Sequence, residues 1–234
     1  MLKLKSAKTR QGSGSDSLRP DSNIPRQNPW SKGGFAKDRI PHEQFLVTIA
    51  GVESKVGATH LALSLAAKAS LRNINCAVII SSASFEALKD YYVLSIREQP
   101  TEGQKEPRQF ASFSGISIMA GVLPGDLEGY QLLIWDCGSL PQGLRRFSSG
   151  DLRCLVSGGQ AWELAPLSAF LKDLNYEEFA PYALCVRGAS DSDFDYLQQQ
   201  VAGRLAITKI LHKPDWTDVT LREDLVTILR LTGY

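Results

Sequence analysis

Apolar residues occur in short continuous blocks after residue 44, and the spacing of these blocks predicts the elements of the fold. The run Phe45 to Ala50 predicts a buried strand, and apolar residues at helical spacing from Thr59 to about Leu71 predict a helix. The run Cys76 to Ile80 predicts a second strand only a few residues later. A strand, a turn and a helix followed closely by another strand are typical of an α/β fold.

The same pattern continues to the end of the chain. Further strands are predicted at Ile116 to Met119, Gln131 to Asp136, Cys154 to Val156, Ala183 to Val186 and Ile207 to Leu211. Helices are predicted at Ser84 to about Gln99, Trp162 to Leu174, Asp191 to Val201 and Leu221 to Leu231, with an exposed loop from Pro100 to Arg108. Strands that are apolar throughout are typical of parallel sheets covered on both faces. The sequence therefore predicts one α/β domain over residues 44–234, with a mostly parallel sheet and helices on both faces.

Residues 1–43 have a different composition, rich in glycine, proline, serine and basic residues. Residues 1–40 carry nine Lys or Arg against three Asp, a net charge of +6, whereas the rest of the chain has a net charge of −5. The segment contains too few apolar residues to offset the entropy lost on ordering. We expect a disordered basic arm, and the sequence leaves two roles open for it: a solvated linker, or a segment that binds DNA or another acidic surface through counterion release.

Composition also bears on location and metal chemistry. No run of about 20 apolar residues is present, so no transmembrane helix is expected. The N-terminus lacks the apolar stretch of a secretory signal, which favours a cytoplasmic protein. The cysteines have no CxxC spacing and are interpreted as reduced core residues rather than zinc ligands; they are Cys76, Cys137, Cys154 and Cys185.

The turn between the first strand and the first helix carries the strongest chemical signal. It reads GVESKVGAT from Gly51 to Thr59. Glycines at such a turn let backbone N–H groups surround a phosphate, and a Ser or Thr at the helix start ligates magnesium. Lys55 is the one basic residue in the turn. Alternatively, Gly51 and Gly57 simply make a tight turn and Thr59 caps the helix.

With its flanking strand and helix, this turn resembles the deviant phosphate-binding loop of the MinD and ParA ATPases, where a strand leads into a KGGxGKTT-type turn. The resemblance places Gly57 on the glycine before the invariant lysine and Thr59 on the magnesium-binding threonine. Ala58 then stands where that lysine should be. Further changes are Glu53 for the signature lysine, and Ser54 and Lys55 for the paired glycines.

Two other segments bear on this resemblance. The run LLIWDCG from Leu132 to Gly138 resembles the family strand that ends in an acid holding magnesium through water, which places Asp136 in that role. After the second strand the family usually places aspartates, one of which activates water, whereas this chain has serines at positions 81, 82 and 84. A hydroxyl is not a general base at neutral pH without help.

The resemblance implies a P-loop NTPase-like fold and a nucleotide site formed by Gly51, Ser54, Lys55, Gly57, Thr59, Asp136 and Gly138. Thr59 and Asp136 would hold magnesium if ATP binds, with weak affinity because the lysine is missing. The sequence thus favours a non-catalytic or weakly catalytic MinD/ParA-like protein of a bacterial cell.

Such a protein would act as a regulatory or positioning factor through protein contacts, including a homodimer. One alternative is an active nucleotide-switched ATPase that uses Lys55, Thr59 and Asp136. Another is a DNA-binding partition or accessory factor that uses the basic arm. Trp162 is predicted to anchor its helix in the core, and the last helix is predicted to pack on the sheet rather than on a membrane.

Overall fold

The computed structural model describes residues 44–92, 94–99, 108–160, 162–173, 182–201, 205–211, 213 and 215–234. The predicted basic arm, residues 1–43, and most of the predicted loop, residues 100–107, lie outside the described residues.

Within the described residues, nine strands form one sheet in the order β3-β4-β5-β2-β6-β1-β7-β8-β9. The strands are β1 Phe45–Gly51, β2 Cys76–Ile80, β3 Ser95–Gln99, β4 Arg108–Phe113, β5 Ile116–Ala120, β6 Leu132–Ser139, β7 Leu152–Gly158, β8 Tyr182–Arg187 and β9 Ala206–Ile210. Only the pairs β3/β4 and β4/β5 are antiparallel. The central strand β1 lies between β6 and β7 and is parallel to both. The predicted mostly parallel sheet is therefore confirmed.

Helices cover both faces of this sheet, as predicted. The helices are α1 Ala58–Ser70, α2 Ser82–Tyr91, α3 Leu140–Phe147, α4 Leu164–Asp173, α5 Asp191–Gln200 and α6 Glu223–Leu231. Apolar side chains of α1, α2 and α6 pack in the hydrophobic core on one face. Side chains of α3, α4 and α5 pack in the core on the other face. The last helix thus packs against the rest of the protein, through Leu225, Ile228 and Leu229.

The sequence-based prediction was wrong for the segment Ser84 to Gln99, which is not one helix. Helix α2 ends at Tyr91, and Ser95–Gln99 forms the edge strand β3, paired with β4. This polar strand is stabilised by backbone pairing with β4. The pattern of apolar residues in its own sequence does not indicate such pairing. Strand β4 was missed because its sequence RQFASF has no clear period, and helix α3 was missed because its helical spacing of Leu140, Leu144 and Phe147 extends over only eight residues.

Three smaller expectations have definite outcomes. All four cysteines are buried and free, as predicted. Burial raises the pKa of Cys76 to about 11 and that of Cys137 to about 12, so both are neutral thiols near pH 7. Trp162 is 75% exposed, so the prediction that it anchors a helix in the core was wrong. Among the described residues, no helix is long and apolar enough to cross a membrane.

Candidate functional site

The candidate site lies at the carboxyl ends of the central strands, where β1 leads into α1. In parallel α/β sheets, ligands bind in the crevice outside these strand ends, where neighbouring strands connect in opposite directions. Strands β1 and β7 are such neighbours, because β1 connects through α1 to β2 on one side of the pair and β7 connects through α4 to β8 on the other. The loop at residues 52–57 and the carboxylate of Asp136 on β6 therefore share one edge of the sheet.

The loop has a tight shape that two glycines make possible. A Cβ atom on Gly51 would lie 2.5 Å from both the carbonyl oxygen of Glu53 and Cγ2 of Val56, so the loop folds back over this residue. Gly57 has φ 103°, in the left-handed region that favours glycine, and is the N-cap of α1. The peptide N–H of Val52 donates to the carbonyl oxygen of Val156 on β7 at 2.9 Å, which fixes the start of the loop.

The exposed part of the loop contains Glu53, Ser54 and Lys55. Lys55 has φ 66°, a left-handed conformation that is costly for residues other than glycine. The resemblance to MinD and ParA places a glycine at this position, and glycine adopts a left-handed conformation without strain. No side-chain hydrogen bond or ion pair of Lys55 occurs within the described residues. Ser54 and Lys55 therefore lie in the loop without being held to the rest of the site.

Ala58, at the position of the invariant lysine, is the first residue of α1 and is buried at 8% exposure. Its methyl group provides no charge to the loop. No acidic residue occupies the first turn of α1, and no side chain caps its first N–H groups. The bare N-terminus of a helix favours anions, because its unpaired N–H groups and the helix dipole are positive.

Thr59 and Asp136 meet as the resemblance implies. The Thr59 hydroxyl donates to Oδ2 of Asp136 at 2.5 Å, and the peptide N–H of Gly138 donates to Oδ1 at 3.0 Å. The alternative role for Thr59 is wrong, because the N-cap is Gly57 and Thr59 points to β6 instead. Burial raises the pKa of Asp136, and the two hydrogen bonds oppose this effect only in part.

The oxygen donors of this pair fit a magnesium ion. Mg²⁺ is commonly bound by one or two protein oxygens together with substrate phosphates and water. The Thr59 hydroxyl in the first turn of α1 and the Asp136 carboxylate on β6 meet that requirement. No group of three or more His, Cys, Asp or Glu able to hold a metal occurs in the described ranges. A metal here would consequently depend on phosphate oxygens for its other ligands.

The serines after β2 cap a helix. Ser81 is the N-cap of α2, and its hydroxyl accepts the N–H of Ser84 at 3.1 Å. The Ser81 and Ser84 hydroxyl oxygens are 2.9 Å apart and hydrogen-bonded to each other. Position 82 is the first residue of α2. Serines that cap a helix therefore stand in this chain where the MinD and ParA family usually has aspartates.

Arg187 is a site residue that the sequence did not single out. It is the last residue of β8 and is partly buried. Its Nη1 lies 3.7 Å from the position that a Cβ atom on Gly57 would occupy. The only sequence signal is a basic residue at the end of an apolar strand, and the sheet order is needed to place it beside the loop.

The sheet order and the loop together define a P-loop NTPase-like fold. Similar solved structures narrow this to the fold of the MinD and ParA ATPases. The MinC:MinD cell division protein complex of Aquifex aeolicus matches with a TM-score of 0.54 and 12% identity, over 81% of this chain and 96% of the other. A plasmid partition protein of Borrelia burgdorferi matches with a TM-score of 0.51 and 14% identity, over 80% and 98%.

A Borrelia burgdorferi plasmid partition protein bound to AMPPNP matches with a TM-score of 0.50 and 13% identity, over 81% of this chain and 98% of the other. No protein-family model matches the sequence, and no curated protein matches it significantly. At these identities the likeness establishes the fold, and the chemistry of the site has to be argued from the residues of this chain.

Proposed function

We propose that this protein is a MinD/ParA-like factor that does not turn over ATP and acts through protein contacts as a regulatory or positioning factor. The observation that carries the proposal is Ala58, which stands where the family has its phosphate-binding lysine. A lysine contact to phosphate in a partly dry site is worth about 2 to 4 kcal/mol. Losing that contact lowers both nucleotide affinity and the rate of phosphoryl transfer, which depends on charge stabilisation.

The end of β2 supports the absence of turnover. Ser81 and Ser84 are hydrogen-bonded to each other and to the start of α2, so neither is set up to take a proton from water. The next carboxylate along this helix, Glu86, accepts hydrogen bonds from Lys89 and Gln109. These contacts lower the pKa of Glu86, which makes it a weaker base.

Exposed apolar side chains support a role in protein contacts. Trp162 and Tyr196 are 75% and 56% exposed; Trp162 follows β7 at the edge of the sheet that carries the loop, and Tyr196 lies in the middle of α5. Aromatic residues are enriched where proteins bind one another. One similar structure is a complex of MinD with MinC, which is consistent with this mode of action. The protein contacts that we propose include a homodimer of this chain.

The rival function is a nucleotide-switched ATPase, favoured by the retained contact between Thr59 and Asp136. That function needs Lys55 to replace the missing lysine. Lys55 lies on the exposed side of the loop, three residues before Ala58. A DNA-binding accessory role would depend on residues 1–43, which lie outside the described residues.

A single-turnover experiment separates the two nucleotide hypotheses. The full-length protein is held in excess over labelled ATP with Mg²⁺, and the nucleotide is analysed by chromatography over several hours. We expect ATP to persist as in buffer, and the variants Lys55→Ala and Thr59→Val to behave identically. ADP formation that either variant abolishes would establish the ATPase and overturn this proposal.

A further inference from the structure

The side chain of Arg187 reaches the loop from two strands away. Strand β8 pairs with β7, and β7 pairs with β1, so the carboxyl ends of all three strands lie along one edge. Arg187 is opposite Gly158 in this register. Its Nη1 and Cδ lie 3.7 and 3.9 Å from the Cβ position of Gly57. The guanidinium group therefore lies beside the N-cap of α1, one residue before Ala58.

This placement puts two positive groups side by side. The N-terminus of α1 carries the partial positive charge of the helix dipole, and its first turn contains no acidic residue. The Arg187 guanidinium adds a full charge and makes no ion pair or side-chain hydrogen bond within the described residues. A partly buried cation beside a helix N-terminus is unfavourable unless an anion or water compensates it.

The nearby carboxylates have other partners. Asp136 accepts the Thr59 hydroxyl and the N–H of Gly138. Glu163 lies over Gly158, and its Oε2 accepts the N–H of Gln160 at 3.0 Å. Neither carboxylate forms an ion pair with the arginine in the part of the chain that the structure describes. The positive charge at the loop therefore remains available to a bound anion.

We propose that Arg187 supplies the positive charge that Ala58 lacks, and that it contacts a phosphate group of a magnesium-bound nucleoside di- or triphosphate held by the loop. This inference rests on the proposed function for the absence of turnover, and it adds that the loop still binds a nucleotide. Arginine pairs with phosphate through two parallel N–H bonds, so it replaces lysine well as a binding group. The Thr59 and Asp136 oxygens provide the magnesium side of the same ligand.

The test is a calorimetric titration of the full-length protein with Mg·ATP, Mg·ADP and inorganic tripolyphosphate as probes. Arg187→Gln should weaken binding of Mg·ATP at least about tenfold, and Arg187→Lys should keep most of the affinity. The matched control is Arg145→Gln, because Arg145 is exposed on α3 over the opposite face of the sheet. If Arg187 contacts phosphate alone, Arg187→Gln should weaken the binding of tripolyphosphate and of ATP by the same factor. If the contact also needs the nucleoside, the loss of affinity should be larger for ATP.

A second variant excludes a merely structural role for Arg187. If the arginine supplies charge, Ala58→Lys should raise the affinity by a larger factor in the Arg187→Gln variant than it does beside an intact Arg187, because the lysine then replaces the missing charge. If it only supports the loop, the double variant stays weak and the inference is wrong. In the unmodified protein, the side-chain Nε–H resonance of Arg187, assigned with Arg187→Lys, should shift on titration with Mg·ATP, whether or not Arg187→Gln folds.

Each outcome has one meaning. Equal binding by the unmodified protein and Arg187→Gln overturns the inference, as does the absence of any binding by the unmodified protein. Neither result touches the proposal that the protein does not hydrolyse ATP. Conversely, hydrolysis accompanied by loss of binding in Arg187→Gln would refute the proposed function and leave the role of Arg187 intact.

Discussion

Replacing Asp136 by asparagine should raise the stability of the ligand-free protein at neutral pH. The carboxylate is 5% exposed, accepts two hydrogen bonds, and has no ion-pair partner in the described ranges. Burial raises its pKa above the unfolded value, so the folded state binds the proton more tightly than the unfolded state. Stability is therefore lost as the pH rises through the folded pKa, and asparagine removes that loss.

The size of the gain follows from two opposing effects. An isolated buried charge costs several kcal/mol, and each hydrogen bond to a charged group returns about 1.5 to 3 kcal/mol. Burial is the largest influence on this pKa and the hydrogen bonds offset it only in part, so a net penalty remains; each kcal/mol of that penalty corresponds to about 2 to 4 °C in Tm for a domain of this size. Asparagine still offers an oxygen to one donor and an N–H to the Thr59 hydroxyl.

The assay is thermal unfolding by circular dichroism between pH 4 and 8, with EDTA and no nucleotide. The rise in Tm should be largest at pH 7 to 8 and shrink on acidification, as the aspartate becomes protonated. The control is Asp191→Asn, which removes an exposed ion pair with Lys209 and should change Tm very little, in the opposite direction. A lower Tm for Asp136→Asn at pH 7, or a gain independent of pH, would refute this reasoning.

Three further predictions test the loop and the arm. Ala58→Lys should raise the affinity for Mg·ATP by at least about tenfold in calorimetry, and no gain would show that the loop has lost its phosphate-binding shape. Gly51→Ala should lower the free energy of unfolding by about 1 to 3 kcal/mol in urea, since its Cβ would lie 2.5 Å from the Glu53 carbonyl, whereas Gly125→Ala has open space and should not. Deleting residues 1–43 should leave Tm nearly unchanged and abolish any salt-dependent DNA binding measured by fluorescence anisotropy; a large fall in Tm, or equal DNA binding by both proteins, would contradict the arm's assigned role.

Long apolar runs made most of the sheet predictable. Phe45 to Ala50 and Gln131 to Asp136 both lie within buried central strands, because a strand covered on both faces can be apolar at every position. The proximity of Thr59 and Asp136 was also predictable, since both residues have fixed positions relative to those strands. These features depend on the local sequence and on the rule that the carboxyl ends of parallel strands lie at the same edge of the sheet.

Features that depend on distant pairing were not predictable. Ser95–Gln99 is a strand because it pairs with β4, and its own sequence, SIREQ, contains a single apolar residue. Trp162 has the character of a core residue and is nevertheless exposed, because apolar residues are not confined to the interior. Arg187 is 130 residues from Gly57 in the sequence, and only the order β1-β7-β8 brings the two together.

The central claim is that this loop does not support ATP turnover, and steady-state phosphate release tests it most directly. The purified full-length protein is assayed with ATP and Mg²⁺ beside a buffer control, with Lys55→Ala in parallel. We predict that all three release phosphate at the same rate, because the loop has no lysine at position 58 and the serines after β2 are engaged in capping. Magnesium-dependent release above the buffer rate that Lys55→Ala abolishes would contradict the account.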